Sequence, residues 1–68
     1  MSASETYTVE LYDDSLGNQW VNQCITCSSY EECEQYIETH PVEEPYYYSI
    51  WCIEYDEHEK EIANYPIY

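Results

Sequence analysis

Hydrophobic and polar positions alternate along "ETYTVELYDD", residues 5–14, with Tyr7, Val9 and Leu11 on one side and Thr6, Thr8, Glu10 and Tyr12 on the other. A period of two is that of a half-buried strand. "DDSLGN" follows, carries the only glycine, Gly17, and reads as a hairpin turn. "QWVNQCIT" is predicted to return as a second strand, with Val21 and Ile25 on one face and Trp20, Asn22 and Cys24 on the other. The period then changes. In "SSYEECEQYIETHP" Tyr30, Cys33, Tyr36 and Ile37 recur at helical spacing, and Glu31, Glu34 and Glu38 lie opposite them. Ser28 with Glu31, or Ser29 with Glu32, fits a capping box, in which a serine oxygen accepts from the orphan N–H groups of the first turn. Pro41 ends the helix, and "PVEEP" is a short linker.

"YYYSIWCIEYD" is the strongest strand signal, rich in aromatic and β-branched residues and apolar on both faces, which predicts a central strand. "DEHEKE" turns, and "EIANYPIY" returns as a last strand in which Pro66 points to an edge or a strand end. The pattern predicts one α+β domain over residues 1–68, ββαββ, with an antiparallel four-stranded sheet and one helix (about residues 29–39) on one face. A single helix covers one sheet face only. The other is expected to present Tyr, Trp, Thr and Glu, unless "YPIY" folds across it or the chain dimerises.

Charge changes the picture most. Fifteen Asp and Glu stand against one cation, Lys60, for a formal charge of −14. Two carboxylates about 6.6 Å apart, the same-face spacing on a strand, repel by roughly 0.6 kcal/mol in bulk water and about 2.5 kcal/mol at an effective dielectric near 20. A chain of about 60 residues buries only about 60% of its unfolded surface, so its stability margin is thin. Folding does not favour this charge; a cationic partner would. Ten Tyr and two Trp argue for a globular fold rather than a disordered acidic tail.

The spacing of the acids suits such a partner. Glu54 and Asp56 are strand neighbours on one face, with Glu57, Glu59 and Glu61 following; these five are the first expected contact surface. Glu31, Glu34 and Glu38, about 5–6 Å apart along a helix, come second. Asp13 and Asp14 at the first hairpin come third. Tyr46, Tyr47, Trp51 and Tyr55 are candidate aromatic anchors, of which half are expected to be core. These intervals approach those of phosphates on a nucleic-acid strand, and the lysines and arginines that hold DNA would pair equally with carboxylates.

In size, acidity, tyrosine content and compact α/β pattern the chain resembles the small phage- or plasmid-encoded DNA-mimic inhibitors, including anti-CRISPR and anti-restriction proteins. The resemblance is one of composition over the whole chain and carries no aligned motif. It implies a non-enzymatic inhibitor that blocks a positively charged DNA-binding channel or PAM-reading site. The expected partner is a basic nucleic-acid-binding protein or effector complex, met as a monomer or homodimer, with no direct nucleic-acid binding. The alternatives are an acidic adaptor that docks on a basic protein without imitating DNA, and adaptation to high salt.

Other chemistry has less support. Cys24-x2-Cys27, with Cys33, Cys52, His40 and His58, is an incomplete zinc pattern, because the second pair lacks the C-x2-C spacing. Buried free thiols explain these cysteines better, so no cofactor is expected. No nucleophile has a recognisable base, one glycine cannot build a phosphate loop, and neither acidic turn alternates oxygen ligands as a calcium loop does. An enzyme is not expected. "MSASETYTVE" has no basic or apolar stretch of a signal peptide, and no run reaches the ~18 apolar residues of a membrane span. The expected setting is cytoplasmic, that of the host cell if phage-encoded, with reduced cysteines and no membrane partner.

Overall fold

The computed structural model describes residues 4–67. Strands β1 (Ser4–Asp13) and β2 (Gln19–Cys27) precede helix α1 (Tyr30–Thr39), and β3 (Tyr46–Tyr55) and β4 (Glu61–Pro66) follow it. All neighbouring strands are antiparallel, in the order β2-β1-β3-β4. The α+β class, the four-stranded antiparallel sheet and the single helix are as expected. β3 is central, flanked by β1 and β4, and β4 is an edge that ends at Pro66.

The helix begins where its cap residues dictate. Ser29 is the N-cap in extended conformation, and its Oγ accepts from the Glu32 amide at 3.3 Å. The Glu32 carboxylate reaches back to the Ser28 amide and hydroxyl at 2.9 and 2.8 Å, which holds its pKa below the usual value. Of the two possible capping boxes, the structure uses Ser29 with Glu32.

α1 packs on β1, β2 and β3 and makes no contact with β4. Its buried Cys33 meets Val9, Cys27 and Ile50, and Tyr30, Tyr36 and Ile37 pack around them as the apolar stripe predicts. This core is small. Burial drives the Cys33 thiol up to about 12, with neighbouring Cys27 adding to the shift, so it stays protonated.

Strand β2 departs from simple alternation. Val9 pairs with Ile25 but Glu10 with Gln23, and Leu11 pairs with Asn22 but Tyr12 with Trp20. Cys24 and Val21 are therefore the extra residues of two bulges. The predicted grouping of Trp20 with Cys24 is corrected accordingly. Trp20 lies opposite Tyr12 on the helix-free face, whereas Cys24 packs against the core under the helix. Val21 is exposed and does not share the half-buried position of Ile25 against the core.

The backbone closes the first hairpin at Gly17, with φ +95°, and Asn18, with φ 36°. The segment from Tyr65 continues along the sheet edge, where the Ile67 amide donates to the Ile50 carbonyl at 2.8 Å. It does not fold across the free face; Tyr68 lies outside the described residues. The Cα trace is elongated, 43 × 24 × 15 Å.

Candidate protein-binding surface

The acids fall into three groups along the long axis, with Glu10 apart from them on the helix-free face. Glu5, Glu54, Asp56, Glu57, Glu59 and Glu61 gather at the end formed by the start of β1 and the β3–β4 turn. Glu31, Glu32, Glu34 and Glu38 line α1, and all four are exposed. Asp13, Asp14, Glu43 and Glu44 stand at the opposite end, where the Asp14 amide donates to the Pro45 carbonyl at 2.9 Å. Among the described residues no lysine or arginine pairs with an acid, and the one close approach of a basic side chain to a carboxylate is His58 Nε2 to Glu57 Oε1 at 3.8 Å, between exposed side chains.

The five acids of 54–61 do not share a face. Glu54 points to the helix-bearing side, directly across from Glu5. Glu61, paired with Tyr55, lies on the helix-free side. Asp56 between them organises the turn: its Oδ1 accepts from the His58 and Lys60 amides at 2.8 and 3.0 Å. Glu57 and Glu59 are exposed on that turn, with Glu59 in the left-handed region at φ 61°. Asp13 and Asp14 likewise support their hairpin. Asp13 Oδ1 accepts from the Ser15 amide at 2.9 Å, which lowers its pKa, and Asp14 Oδ1 accepts from Asn18 at 3.3 Å.

None of the four anchor candidates is buried, so the expectation that half are core is corrected. Tyr46 and Tyr47 are exposed, and Trp51 and Tyr55 are half-buried. The physical reason is the size of the helix. It shields the even-numbered side of β3 from Tyr48 to Cys52, so Tyr46 lies beyond its reach, and it leaves Tyr47, Trp51 and Tyr55 on the open face. Tyr47 stacks on Tyr12 at 5.5 Å between ring centroids and donates to Asn18 Oδ1 at 2.6 Å. Thr6 donates to the Tyr55 hydroxyl at 3.5 Å.

Residues outside the predicted contact surface also matter. Glu5 is the first. Its carboxylate, that of Glu54 and the Cys52 thiol lie within 4.8 Å of one another, the only such set of three among the described residues. Tyr65 donates to Glu54 Oε2 at 2.6 Å, and that bond, with Cys52 contributing, pushes its phenol well above the ordinary value. Burial and the Glu5 carboxylate raise Tyr7 as well. The four cysteines of the disfavoured zinc alternative do not converge. Cys27 meets Cys33 in the core, Cys24 lies beside Tyr36 and Tyr48, and Cys52 stands with Glu5. His40 stacks on Tyr36 at 4.1 Å, at the helix end.

Thr8 and Glu10, also outside the predicted contact surface, belong to a cleft of about 500 Å³ on the helix-free face. Trp51 and Ile53 of β3, Trp20 of β2 and Glu61 of β4 also line it. The Trp20 indole donates to Glu10 Oε1 at 2.7 Å. Thr8 Oγ1 and Trp51 Nε1 are buried without a hydrogen-bond partner. Such orphans cost about 1–3 kcal/mol each. The alternation in "TYTVE" placed Thr8 and Glu10 on this face, but only the cross-strand pairing of Thr8 with Trp51 assembles the cleft.

Among the described residues no helix is long and apolar enough to cross a membrane. Comparison of the chain with protein-family models, with curated proteins and with solved structures finds no match.

Proposed function

We propose that the protein is an acidic DNA-mimic inhibitor, of the anti-CRISPR or anti-restriction kind. It occupies the positively charged DNA-binding groove or PAM-reading site of a larger protein or complex and blocks DNA without catalysis. The observation that carries this reading is the linear charge density. A formal −14 over a 43 Å axis is one net charge per about 3 Å. One strand of B-DNA carries a phosphate every ~3.4 Å of axis. The acids stand at both ends and along α1 rather than in one cluster, so a basic channel would meet carboxylates along the whole length.

Binding then follows the physics of lysine and arginine meeting phosphate. The complex dissociates steeply with added salt, and duplex DNA competes for the same cations. The test is affinity capture of the partner from host lysate followed by challenge with duplex DNA. Elution by DNA is the expected result. A ternary complex of protein, partner and DNA would show an adaptor instead. Glu57, Glu59 and Glu61 changed together to Gln should weaken the complex. Asp56 is left intact because its carboxylate holds the turn.

A further inference from the structure

We propose that the free edge of β2 is the contact between two copies of this chain, which pair β2 to β2 antiparallel and join their sheets. The sheet has two outer strands, β2 and β4. β4 has six residues and carries Glu61 and Pro66, a charge and a proline of the kind that block strand addition. β2 has nine residues and carries neither a charge nor a proline. Residues 15–30 contain no Asp, Glu, Lys, Arg or His, the longest such run in a chain with fifteen acids. Leu16, Trp20 and Val21 within that run are exposed apolar side chains.

The helix continues the uncharged strip. A groove of about 550 Å³ separates α1 from the end of β2, with Ile25, Cys27 and Ser28 on the strand side and Gln35, Tyr36 and Thr39 on the helix. Glu31, Glu34 and Glu38 do not line it. Two carboxylates border the strip, and each is already engaged within the chain. Glu32 accepts from Ser28, and Glu10 accepts from the Trp20 indole at 2.7 Å. The absence of free charge identifies the occupant. A cationic partner is held best by acids on the surface it meets. A partner that is itself acidic requires a contact without them, and a two-fold interface sets one patch against its own copy.

The bulges at Val21 and Cys24 interrupt the first part of β2, whereas Ile25–Cys27 pairs with β1 without a break. The second copy is centred on that regular stretch, with Thr26 opposite its own counterpart. A two-fold axis normal to the sheet then joins the two four-stranded sheets into one and places both helices on the same face. The uncharged flanks at Gln35 and Thr39 turn towards each other.

This pairing does not rest on imitation of DNA, and its salt response is the reverse of that expected with a basic partner. Sedimentation velocity over a series of protein and sodium chloride concentrations tests it. The Debye length shortens from about 30 Å at 0.01 M to about 3 Å at 1 M, which screens the repulsion between two chains of −14. The species of 8.2 kDa should therefore give way to one of twice that mass as salt rises. Between about 0.15 M and 1 M the dimer should tighten at least about tenfold. In about 0.5 M salt, Thr26→Glu and Gln35→Glu, both at exposed positions, should each weaken it at least about threefold, because like charges are set against each other. Ile62→Glu adds the same charge on the β4 edge, at a side chain 59% exposed, and should change it by less than about twofold. Should Thr26→Glu lose its fold by circular dichroism, Gln35→Glu decides. A chain that stays monomeric at every salt concentration would overturn the proposal. So would a dimer that Gln35→Glu leaves intact, or that Ile62→Glu weakens as much, because the contact would then lie elsewhere.

Discussion

Glu5 and Glu54 face each other across β1 and β3 with their oxygens within 4.8 Å and no lysine or arginine between them. Glu5→Gln removes one charge, keeps an acceptor for the Tyr7 hydroxyl, and leaves the Tyr65–Glu54 bond in place. At 4.8 Å two unit charges repel by about 0.9 kcal/mol in water. Like charges directly opposite in a sheet destabilise by roughly 0.2–1 kcal/mol. A gain of about 0.5–1 kcal/mol follows, and in a domain of this size it raises Tm by roughly 2–8 °C. Thermal melts followed by circular dichroism should be run at two salt concentrations. The Debye length falls from about 30 Å at 0.01 M to about 3 Å at 1 M, so the gain should be largest at low salt and shrink at high salt. Glu54→Gln should gain less, because it weakens the bond from Tyr65. An unchanged or lower Tm for Glu5→Gln at low salt would refute the reasoning, as would a gain that ignores salt.

Three further outcomes are expected. Thiol labelling of the native protein should modify half-exposed Cys24 first and Cys33 last, since Cys33 is buried and stays protonated; mass mapping of partial labelling checks the order. Glu32 and Asp13 titrate below their ordinary values in the folded state, so their contribution is present above about pH 4.5 and is lost as pH falls through their folded values; Ser28→Ala should flatten the part of the acid-unfolding curve due to Glu32. Gly17→Ala meets no atom within 4 Å, so its cost is the positive φ alone, about 1–2 kcal/mol by denaturant titration.

Elements were legible where a local signal was strong. The serine cap, the apolar stripe from Tyr30 to Ile37 and the Pro41 stop define α1 almost to the residue. The bulges at Val21 and Cys24 left no such signal, because an inserted strand residue is visible only against its partner. The same limit governed the surface. Glu54 and Glu61 read as one acidic run, yet the intervening turn sends them to opposite faces. Glu5 meets Glu54 only through a pairing that spans most of the chain, so nothing local marked it. The exposed aromatic face was foreseen from the arithmetic of one helix on four strands, but the cleft within it depends on Thr8 meeting Trp51.

The helix leaves β4 uncovered, and that strand buries almost none of its side chains. It is held by its backbone ladder to β3, by the Tyr65–Glu54 bond and by the Ile67 amide just beyond it. Local opening draws on the regions with fewest apolar contacts. Amide hydrogens of β4 should therefore exchange with deuterium well before those of β1 and β3. Glu61 and Asn64 ride on that strand, so one flank of the cleft is hung on the most detachable part of the sheet. Any molecule seated there would pin the strand, and slowed exchange along β4 would report its arrival.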